Sequence, residues 1–590
     1  MIRIAQWAAL VALLAAVWLI GPPLGAGSPY IGTDEIAPGM KGYGLTVFSG
    51  TEPERFGVEV VSVVPNFLLR QNIILIRCDH PVTDKAGVIG GMSGSPIFID
   101  GRLAGALAYG WSFAKEPLAG VTPIANMLEV MKRPIREPGE GGARGRILTS
   151  RLLGDTAQAP ARTQLESPES GLSFARTPLS LAGFHGAAER MLSEGLASFG
   201  MDPVQGGGSG SKPEGPATFA NGGAIGVQLI RGDMSATAIG TVTAIEGKNV
   251  LAFGHPMFEM GQEFLPVSTA RIHTVQYSVA RSNKIGSPLR EAGSLVQDRQ
   301  SCIVARTDRR ADAIPVGLTL VDERAKRRDT YKVEIASHRF LTPRLLQAAI
   351  LEIISEGAAD TEDVVAEIEG RMKVSGRPPV VLRDSGASRG GLSSLASWFR
   401  PVSVVADVLD NPFEDAKVES LDFEVRLRYG LDVATIVGVS VAAERPEPGD
   451  VVNVVVRLRP YDGDEQLVTV PVRIPDTAGG QEVQIEVGGG DFMIPVLPAP
   501  QSLDDMLGNV RRFYPPASLV VALNVPGEGV TLRGRAIERL PASAVDSLLP
   551  ALGKEQAASE HGALRQVVPT SIIVRGMETI RFTVSNRRTR

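Results

Sequence analysis

Residues 87–111 read GVIGGMSGSPIFIDGRLAGALAYGW, and this stretch carries the clearest structural pattern in the chain. The apolar residues 96–99, the DG pair at 100–101 and a second apolar run that ends at Trp111 predict a β-hairpin. Short β-like runs precede it, namely GLTVF from Gly44, VEVVSVV from Val58 and NIILIRC from Asn72. Because Gly, Pro and Asp separate these runs, we expect residues 27–133 to form one compact β domain.

Ser93 lies directly before the first strand of this hairpin and is followed by Gly94. Glycine lets the backbone turn sharply, so the N–H groups of Gly91 and Ser93 can point together into an oxyanion hole while the hydroxyl faces a substrate. A lone G-x-S-G motif is more often a tight β-turn with a buried or solvated serine. The continuous pattern through AGVTPI, residues 119–124, favours a nucleophile over that alternative.

A serine hydroxyl needs a neighbouring base to become an effective nucleophile, and the chain has 6 histidines. His255 follows the apolar run NVLAF and lies between a glycine and a proline, at a strand end where an imidazole can project into a cleft. His80 is the alternative base, since it is closer to the serine in sequence. His185 and His273 are expected to be structural or exposed.

The third member of a serine triad is a carboxylate that fixes the tautomer of the imidazole. Asp79 ends the predicted strand NIILIRC and lies 14 residues before Ser93, which suits a loop beside the same cleft. Asp84 is the alternative acid. Asp79 could equally cap a turn with no catalytic role.

The length and charge of the chain limit the classes of function. With 590 residues the chain exceeds a single hydrophobic core, so several domains are expected. A formal net charge of −5, without basic runs interleaved with aromatic residues, argues against nucleic acid as a partner. The run QGGGSGSKPEGP at 205–216 lacks the GK[ST] ending of a phosphate loop. We therefore expect neither a cofactor nor a metal.

The N-terminus has the order of a secretory signal. Arg3 precedes an apolar stretch from Ile4 to Ile20, and small residues follow to Ala26, after which cleavage is predicted. An uncleaved membrane anchor is the alternative. The expected location is the periplasm, the cell envelope or the extracellular space.

The remaining domains are assigned from composition and periodicity. Residues 134–221 read as a linker with a short helix, residues 222–315 as a second β-rich unit and residues 316–440 as a mixed α/β region with a helix at 342–357. Residues 441–590 read as a β-sandwich-like domain with a hairpin at Asp462–Gly463 and a helix at 503–513. The spacing of Cys78 and Cys302 leaves open whether they pair or remain free thiols.

The quoted segments resemble the SpoIVB peptidase family of chymotrypsin-like serine peptidases. GVIGGMSGSPIFIDGRLAGALAYG is similar to the family's nucleophile segment, and TAIGTVTAIEGKNVLAFGHPM at 237–257 is similar to its histidine segment. The resemblance implies a double β-barrel, with Ser93 as nucleophile, His255 as base and Asp79 as acid. It also implies that the edge Ala108, Tyr109, Gly110 and Trp111 pairs with the backbone of a polypeptide substrate.

The order along this chain differs from that of the sporulation peptidases, because the serine half precedes the histidine half. Triads are defined by geometry and not by chain order, so the swap is compatible with activity. The sequence therefore predicts an exported serine endopeptidase. The alternative is a non-catalytic envelope binding or scaffold protein on a degenerate peptidase fold.

Overall fold

The computed structural model describes residues 28–586 apart from 70, 112, 137–171, 209–214, 359–362, 390–399, 444, 496, 498–499, 533–534, 538–542 and 544–558. The protein is mainly β, with 51% strand and 14% helix, as the sequence predicts. The predicted signal at 1–26 and most of the predicted linker before residue 172 lie outside the described residues.

The first unit is a closed barrel of six antiparallel strands. These are β1 (Lys41–Thr46), β2 (Glu54–Leu68), β3 (Gln71–Asp79), β4 (Pro96–Ile99), β5 (Arg102–Trp111) and β6 (Leu118–Pro123), with α1 (Pro81–Ala86) before β4 and α2 (Ile124–Met131) after β6. The strands follow the order β1-β2-β3-β6-β5-β4, and β4 pairs with β1 to close the barrel. The predicted DG hairpin joins β4 to β5, with positive φ at Asp100 (48°) and Gly101 (75°) as its tight turn requires.

The second unit is another ring of six antiparallel strands. These are β10 (Ala224–Gly232), β11 (Ser235–Glu246), β12 (Asn249–Ala252), β13 (Leu265–Gln276), β14 (Asn283–Arg299) and β15 (Cys302–Arg306). They follow the order β10-β11-β12-β15-β14-β13, and β13 pairs with β10. Both rings therefore have the same connectivity, which agrees with the predicted double β-barrel.

The region between the barrels contains strands as well as the predicted helix. These elements are β7 (Leu172–Phe174), β8 (Thr177–Ala182), α3 (Gly186–Ala197) and β9 (Met201–Gln205). β7 joins the first sheet beside β5, while β8 pairs with β11 of the second barrel. The apolar face predicted for the helix is buried, including Ala188, Leu192 and Leu196.

The sheet of the second barrel continues beyond residue 315. Its further elements are β16 (Ala313–Asp322), β17 (Arg327–Ala336), α4 (Leu341–Gly357), β18 (Val364–Val374), β19 (Val380–Ser388), α5 (Arg400–Leu409) and β20 (Val418–Tyr429). β17 pairs with β10, so these strands extend one sheet across the predicted domain boundary. Helix α4 agrees with the predicted helix at 342–357 and begins one residue earlier, with Phe340 at the N-cap position. The Thr342 hydroxyl donates to the carbonyl of Ala336.

The C-terminal domain consists of two sheets that share one apolar core. Its elements are β21 (Val433–Val441), β22 (Val451–Pro460), β23 (Gln466–Arg473), β24 (Glu482–Gly489), α6 (Leu503–Val510), β25 (Ser518–Leu532), β26 (Arg535–Ile537), β27 (Ser559–Pro569), β28 (Ile573–Arg575) and β29 (Met577–Thr583). The predicted hairpin at Asp462–Gly463 joins β22 to β23. The sandwich interpretation agrees with this arrangement.

Both cysteines are buried free thiols, which decides between the two possibilities left open by the sequence. Cys78 lies in the core of the first barrel, and Cys302 lies in an apolar cluster that both barrels share. Burial raises the pKa of Cys78 to about 12, so this thiol stays protonated and unreactive at neutral pH.

Candidate active site

The two barrels pack against each other through a shared apolar cluster. Leu103, Ala106 and Met127 of the first barrel and its following helix meet Leu251 and Val304 of the second. This interface matters for function because each barrel supplies one of the two principal residues predicted from the sequence.

The Ser93 loop turns tightly at two glycines before β4. Gly91 and Gly94 have φ angles of +91° and +94°, a region that side chains other than glycine rarely adopt. The amide of Gly94 donates to the carbonyl of Leu107 (2.8 Å), and the Ser95 hydroxyl donates to the carbonyl of Met92 (2.6 Å). The loop is therefore fixed to β5 of its own barrel.

Two threonines of β11 hold the same loop from the second barrel. The amide of Thr241 donates to the carbonyl of Ser93 (2.9 Å), and the Thr241 hydroxyl donates to the carbonyl of Gly91 (2.9 Å). The Thr243 hydroxyl donates to the carbonyl of Gly94 (2.7 Å). Three backbone carbonyls of the nucleophile loop thus accept hydrogen bonds from the opposite barrel.

The side chain of Ser93 is completely buried at this interface. Its Oγ atom makes no hydrogen bond to another described residue. A buried hydroxyl without a partner is costly, since it loses hydration without compensation.

His255 follows a sharp turn at the end of β12. Phe253 and Gly254 both have positive φ, at 69° and 68°, and a Cβ atom on Gly254 would lie 2.9 Å from the Cβ of Ala106. The imidazole is 3% exposed, and its Nδ1 lies 2.8 Å from the carbonyl oxygen of Pro256. Because a carbonyl only accepts hydrogen bonds, Nδ1 carries the proton in the neutral ring and Nε2 is the basic nitrogen.

The segment after His255 is anchored by Asp298, a buried residue of β14. Its carboxylate accepts hydrogen bonds from the amides of Met257 (2.8 Å) and Phe258 (2.6 Å). The backbone of Asp298 also exchanges hydrogen bonds with Gly261 (3.0 and 2.6 Å). Asp298 therefore fixes the chain on the C-terminal side of the imidazole.

The serine loop and the histidine turn are in direct contact. A Cβ atom on Gly94 would lie 2.5 Å from the backbone nitrogen of Phe253, so the two backbones pack with no room for a side chain. The Thr122 hydroxyl of β6 donates to the carbonyl of Gly254 (2.7 Å). The residues that precede His255 thus rest on the barrel that carries Ser93.

The candidate acids lie elsewhere on the first barrel. Asp79 is exposed at the end of β3, opposite Gly57, and Asp84 is exposed in α1. Neither carboxylate forms a hydrogen bond or ion pair with His255 among the described residues. His80, the alternative base, caps α1 through Nδ1 and stacks on Phe48 with ring centroids 4.5 Å apart. These contacts give His80 a structural role.

The predicted substrate edge is occupied by the protein itself. β7 pairs antiparallel with Tyr109, Gly110 and Trp111, and the amide of Ala175 donates to the carbonyl of Ala108 (2.8 Å). The amide of Gly91, one of the two predicted oxyanion-hole donors, donates to the carbonyl of Arg176 (3.3 Å).

Sequence reasoning missed a buried lysine behind the nucleophile loop. Lys284 is fully buried, and its ammonium donates to the hydroxyl of Thr46 (2.7 Å). Its side chain packs along Gly91, where an added Cβ atom would lie 3.1 Å from Cδ. Burial lowers the pKa of Lys284 to about 7. No motif marks this residue, because a single lysine in a strand is usually a solvated one.

The part of the chain that the structure describes lacks two other kinds of feature. Among the described residues, His, Cys, Asp and Glu form no group of three or more with the arrangement of a metal site. The described helices include none of the length and apolarity that crossing a membrane requires.

The fold and this interface define a chymotrypsin-like double barrel. The family model described as SpoIVB peptidase S55 matches residues 31–128, which include the whole first barrel and most of α2. The resemblance of the serine-bearing barrel to the SpoIVB peptidase family is therefore confirmed, and the match indicates a peptidase, that is, a hydrolase. No curated protein and no solved structure shows a significant match to the chain.

Proposed function

We propose that the protein is an exported serine endopeptidase in which Ser93 is the nucleophile and His255 the general base. The observation that carries the proposal is the contact between the serine loop and the histidine turn across the interface of the two barrels. The family match to the serine-bearing barrel supports the reaction class.

In the proposed reaction, Nε2 of His255 takes the proton of Ser93 as Oγ attacks the carbonyl carbon of a peptide bond. The amides of Gly91 and Ser93 stabilise the oxyanion. His255 then gives the proton to the leaving amine, and an acyl group stays bound to Oγ. In the second half, His255 takes a proton from water as the water oxygen attacks the acyl carbon, and it returns that proton to Oγ of Ser93 as the carboxylic acid product leaves.

A backbone carbonyl takes the orienting role in this proposal. The oxygen of Pro256 faces Nδ1 of His255, where a triad carboxylate would otherwise lie. Asp79 and Asp84 remain the predicted candidates for the triad acid. Each would have to move from its exposed position to reach the imidazole of His255. We expect Asp79→Asn to be milder than His255→Ala for this reason.

Export is proposed from the signal-like order of residues 1–26. N-terminal sequencing of the protein recovered from outside the cytoplasm tests it. A chain that begins after Ala26 supports cleavage, whereas a chain that retains Met1 indicates a membrane anchor.

Hydrolysis of fluorescein-labelled casein tests the reaction. Ser93→Ala and His255→Ala should each lose turnover on the order of a million-fold, that is, to the detection limit, and the double variant should be no worse. Ser49→Ala and His273→Ala serve as matched controls, because Ser49 is an exposed residue of the first barrel and His273 pairs with Ser287 away from this contact (2.7 Å).

The controls should keep most of the activity. Equal turnover in the wild type and in Ser93→Ala would contradict the assignment. The protein would then be a non-catalytic binding or scaffold protein on the peptidase fold.

A further inference from the structure

The described part of the chain contains a segment that lies on the predicted substrate edge. In β7, Phe174 is opposite Tyr109, Ser173 is opposite Gly110 and Leu172 is opposite Trp111. A peptide substrate that adds to this edge by antiparallel pairing would use the same backbone groups of β5. β7 and such a substrate therefore cannot occupy the edge together.

The same segment also contacts the catalytic groups of the proposed peptidase. The ring of Phe174 lies with its centroid 5.2 Å from that of His255 and 5.2 Å from that of Tyr109. Two residues later, the carbonyl of Arg176 accepts the hydrogen bond of the Gly91 amide. The segment thus covers the strand edge, the face of the base and a predicted oxyanion donor.

The described pairing of this segment is short. β7 has three residues, and among the described strands its partner is β5. Short edge elements with few hydrogen bonds open at a small fraction of the global unfolding free energy. Its C-terminal side is tethered, because the Arg176 guanidinium forms an ion pair with Asp202 (2.8 Å).

Burial indicates that the observed arrangement is a closed one. Ser93 is 0% exposed and His255 is 3% exposed while β7 is in place. A polypeptide carbonyl cannot reach Ser93 Oγ unless some covering element moves away.

We propose that Leu172–Arg176 is an internal ligand of the substrate edge, and that substrates are extended peptides that displace it and place an aromatic side chain where Phe174 lies. This inference rests on the proposed peptidase function. The aromatic subsite is formed by the rings of Tyr109 and His255, which favour an aromatic partner by offset stacking. Extended backbone pairing with Ala108–Trp111 supplies the rest of the recognition.

Opening of the edge is tested by three variants in the full-length protein. Ala175→Pro removes the N–H that binds the carbonyl of Ala108, and Ala175→Ser is its matched control because it keeps that N–H. Phe174→Ala removes the ring that packs against His255 without altering the backbone. A population shift from closed to open should raise the rate of labelling by a fluorophosphonate probe about tenfold or more in Ala175→Pro and Phe174→Ala, but not in Ala175→Ser.

Binding is measured without catalysis in the Ser93→Ala/Ala175→Pro double variant. A fluorescein-labelled peptide LSFARTP, the sequence of residues 172–178, should bind, and the same peptide with alanine in place of phenylalanine should bind about tenfold more weakly. The unlabelled peptide should also slow the probe labelling of Ala175→Pro. A misfolded variant would not be inhibited in this way, so this measurement controls for a folding defect.

The outcomes separate this inference from the peptidase proposal. Equal labelling of Ala175→Pro and Ala175→Ser, with no peptide binding, overturns the internal ligand while Ser93-dependent labelling still supports the peptidase. Peptide binding to the opened variant with no labelling of any variant supports the internal ligand and overturns the peptidase.

Discussion

Substitution of Asp298 by asparagine should slow the proposed reaction although Asp298 does not touch substrate. Its two carboxylate oxygens accept the amides of Met257 and Phe258, and these hydrogen bonds hold the segment that follows His255. An asparagine side chain offers one oxygen acceptor and one NH₂ donor. One of the two buried amides would therefore face a donor and lose its partner.

The expected decrease in rate follows from the free-energy cost of leaving that buried amide without an acceptor. A buried donor left without an acceptor costs about 1–3 kcal/mol, and this cost falls on the conformation that presents the imidazole. Since about 1.4 kcal/mol corresponds to a factor of ten, the rate should fall roughly 5- to 150-fold. Asp298→Ala leaves both amides without acceptors and should be slower still.

The assay is the rate of fluorophosphonate labelling of Ser93, measured together with the thermal midpoint of each variant. Asp308→Asn is the control, because Asp308 is an exposed carboxylate near the same strands whose partners are Arg306 and Lys248. It should label like the wild type. If Asp298→Asn labels at the wild-type rate with an unchanged midpoint, the positioning role of Asp298 is wrong.

Three further predictions concern the pH dependence of stability and the close approach of the barrels. Burial lowers the pKa of Lys284 to about 7, so the unfolded chain binds more protons than the folded one between about pH 7 and 10.5. Stability should rise with pH there by up to about 1.4 kcal/mol per unit, and denaturation midpoints should show that Lys284→Met lacks this slope. Burial and the neighbouring Asp491 raise the pKa of Asp384 to about 7, so the folded state retains a proton between about pH 4 and 7. Stability should fall as pH rises through that range, and Asp384→Asn should remove this loss. Gly94→Ala places a Cβ atom 2.0 Å from the carbonyl oxygen of Thr241, so probe labelling at Ser93 should be abolished and the thermal midpoint of unfolding lowered. A variant with wild-type labelling and an unchanged thermal midpoint would contradict this close approach of the two barrels.

The parts of the fold that depend on local pattern could be predicted from the sequence. The β4–β5 hairpin follows from alternating apolar residues around Asp100 and Gly101, and helix α3 follows from Ala188, Leu192 and Leu196 at helical spacing. Both signals come from residues that are neighbours in the chain.

The sequence does not predict β7, because this strand depends on residues that are distant in the chain. Three residues are too few for a periodic signal, and the composition before Pro178 is that of a connection. What makes the segment a strand is its pairing with Tyr109–Trp111, about 60 residues earlier in the chain. No local property of the sequence reveals such a partner.

The candidate site was predicted in part. Ser93 and His255 stand in motifs whose glycines mark sharp turns, and the structure brings these two turns together. The group that faces Nδ1 of His255 could not be predicted, because it is the backbone carbonyl of Pro256 and every residue has one. The position of Asp79 in the sequence places it at a strand end, but it does not determine the direction in which the side chain points.

The most direct test of the account is the position of the covalent adduct that a fluorophosphonate probe leaves on the full-length protein. Peptide mapping by mass spectrometry should place the adduct on Ser93 in the wild type, with faster labelling in Ala175→Pro and none in Ser93→Ala or His255→Ala. Absence of an adduct on Ser93 in both the wild type and Ala175→Pro, while each remains folded, would contradict the claim that His255 activates Ser93 as a nucleophile.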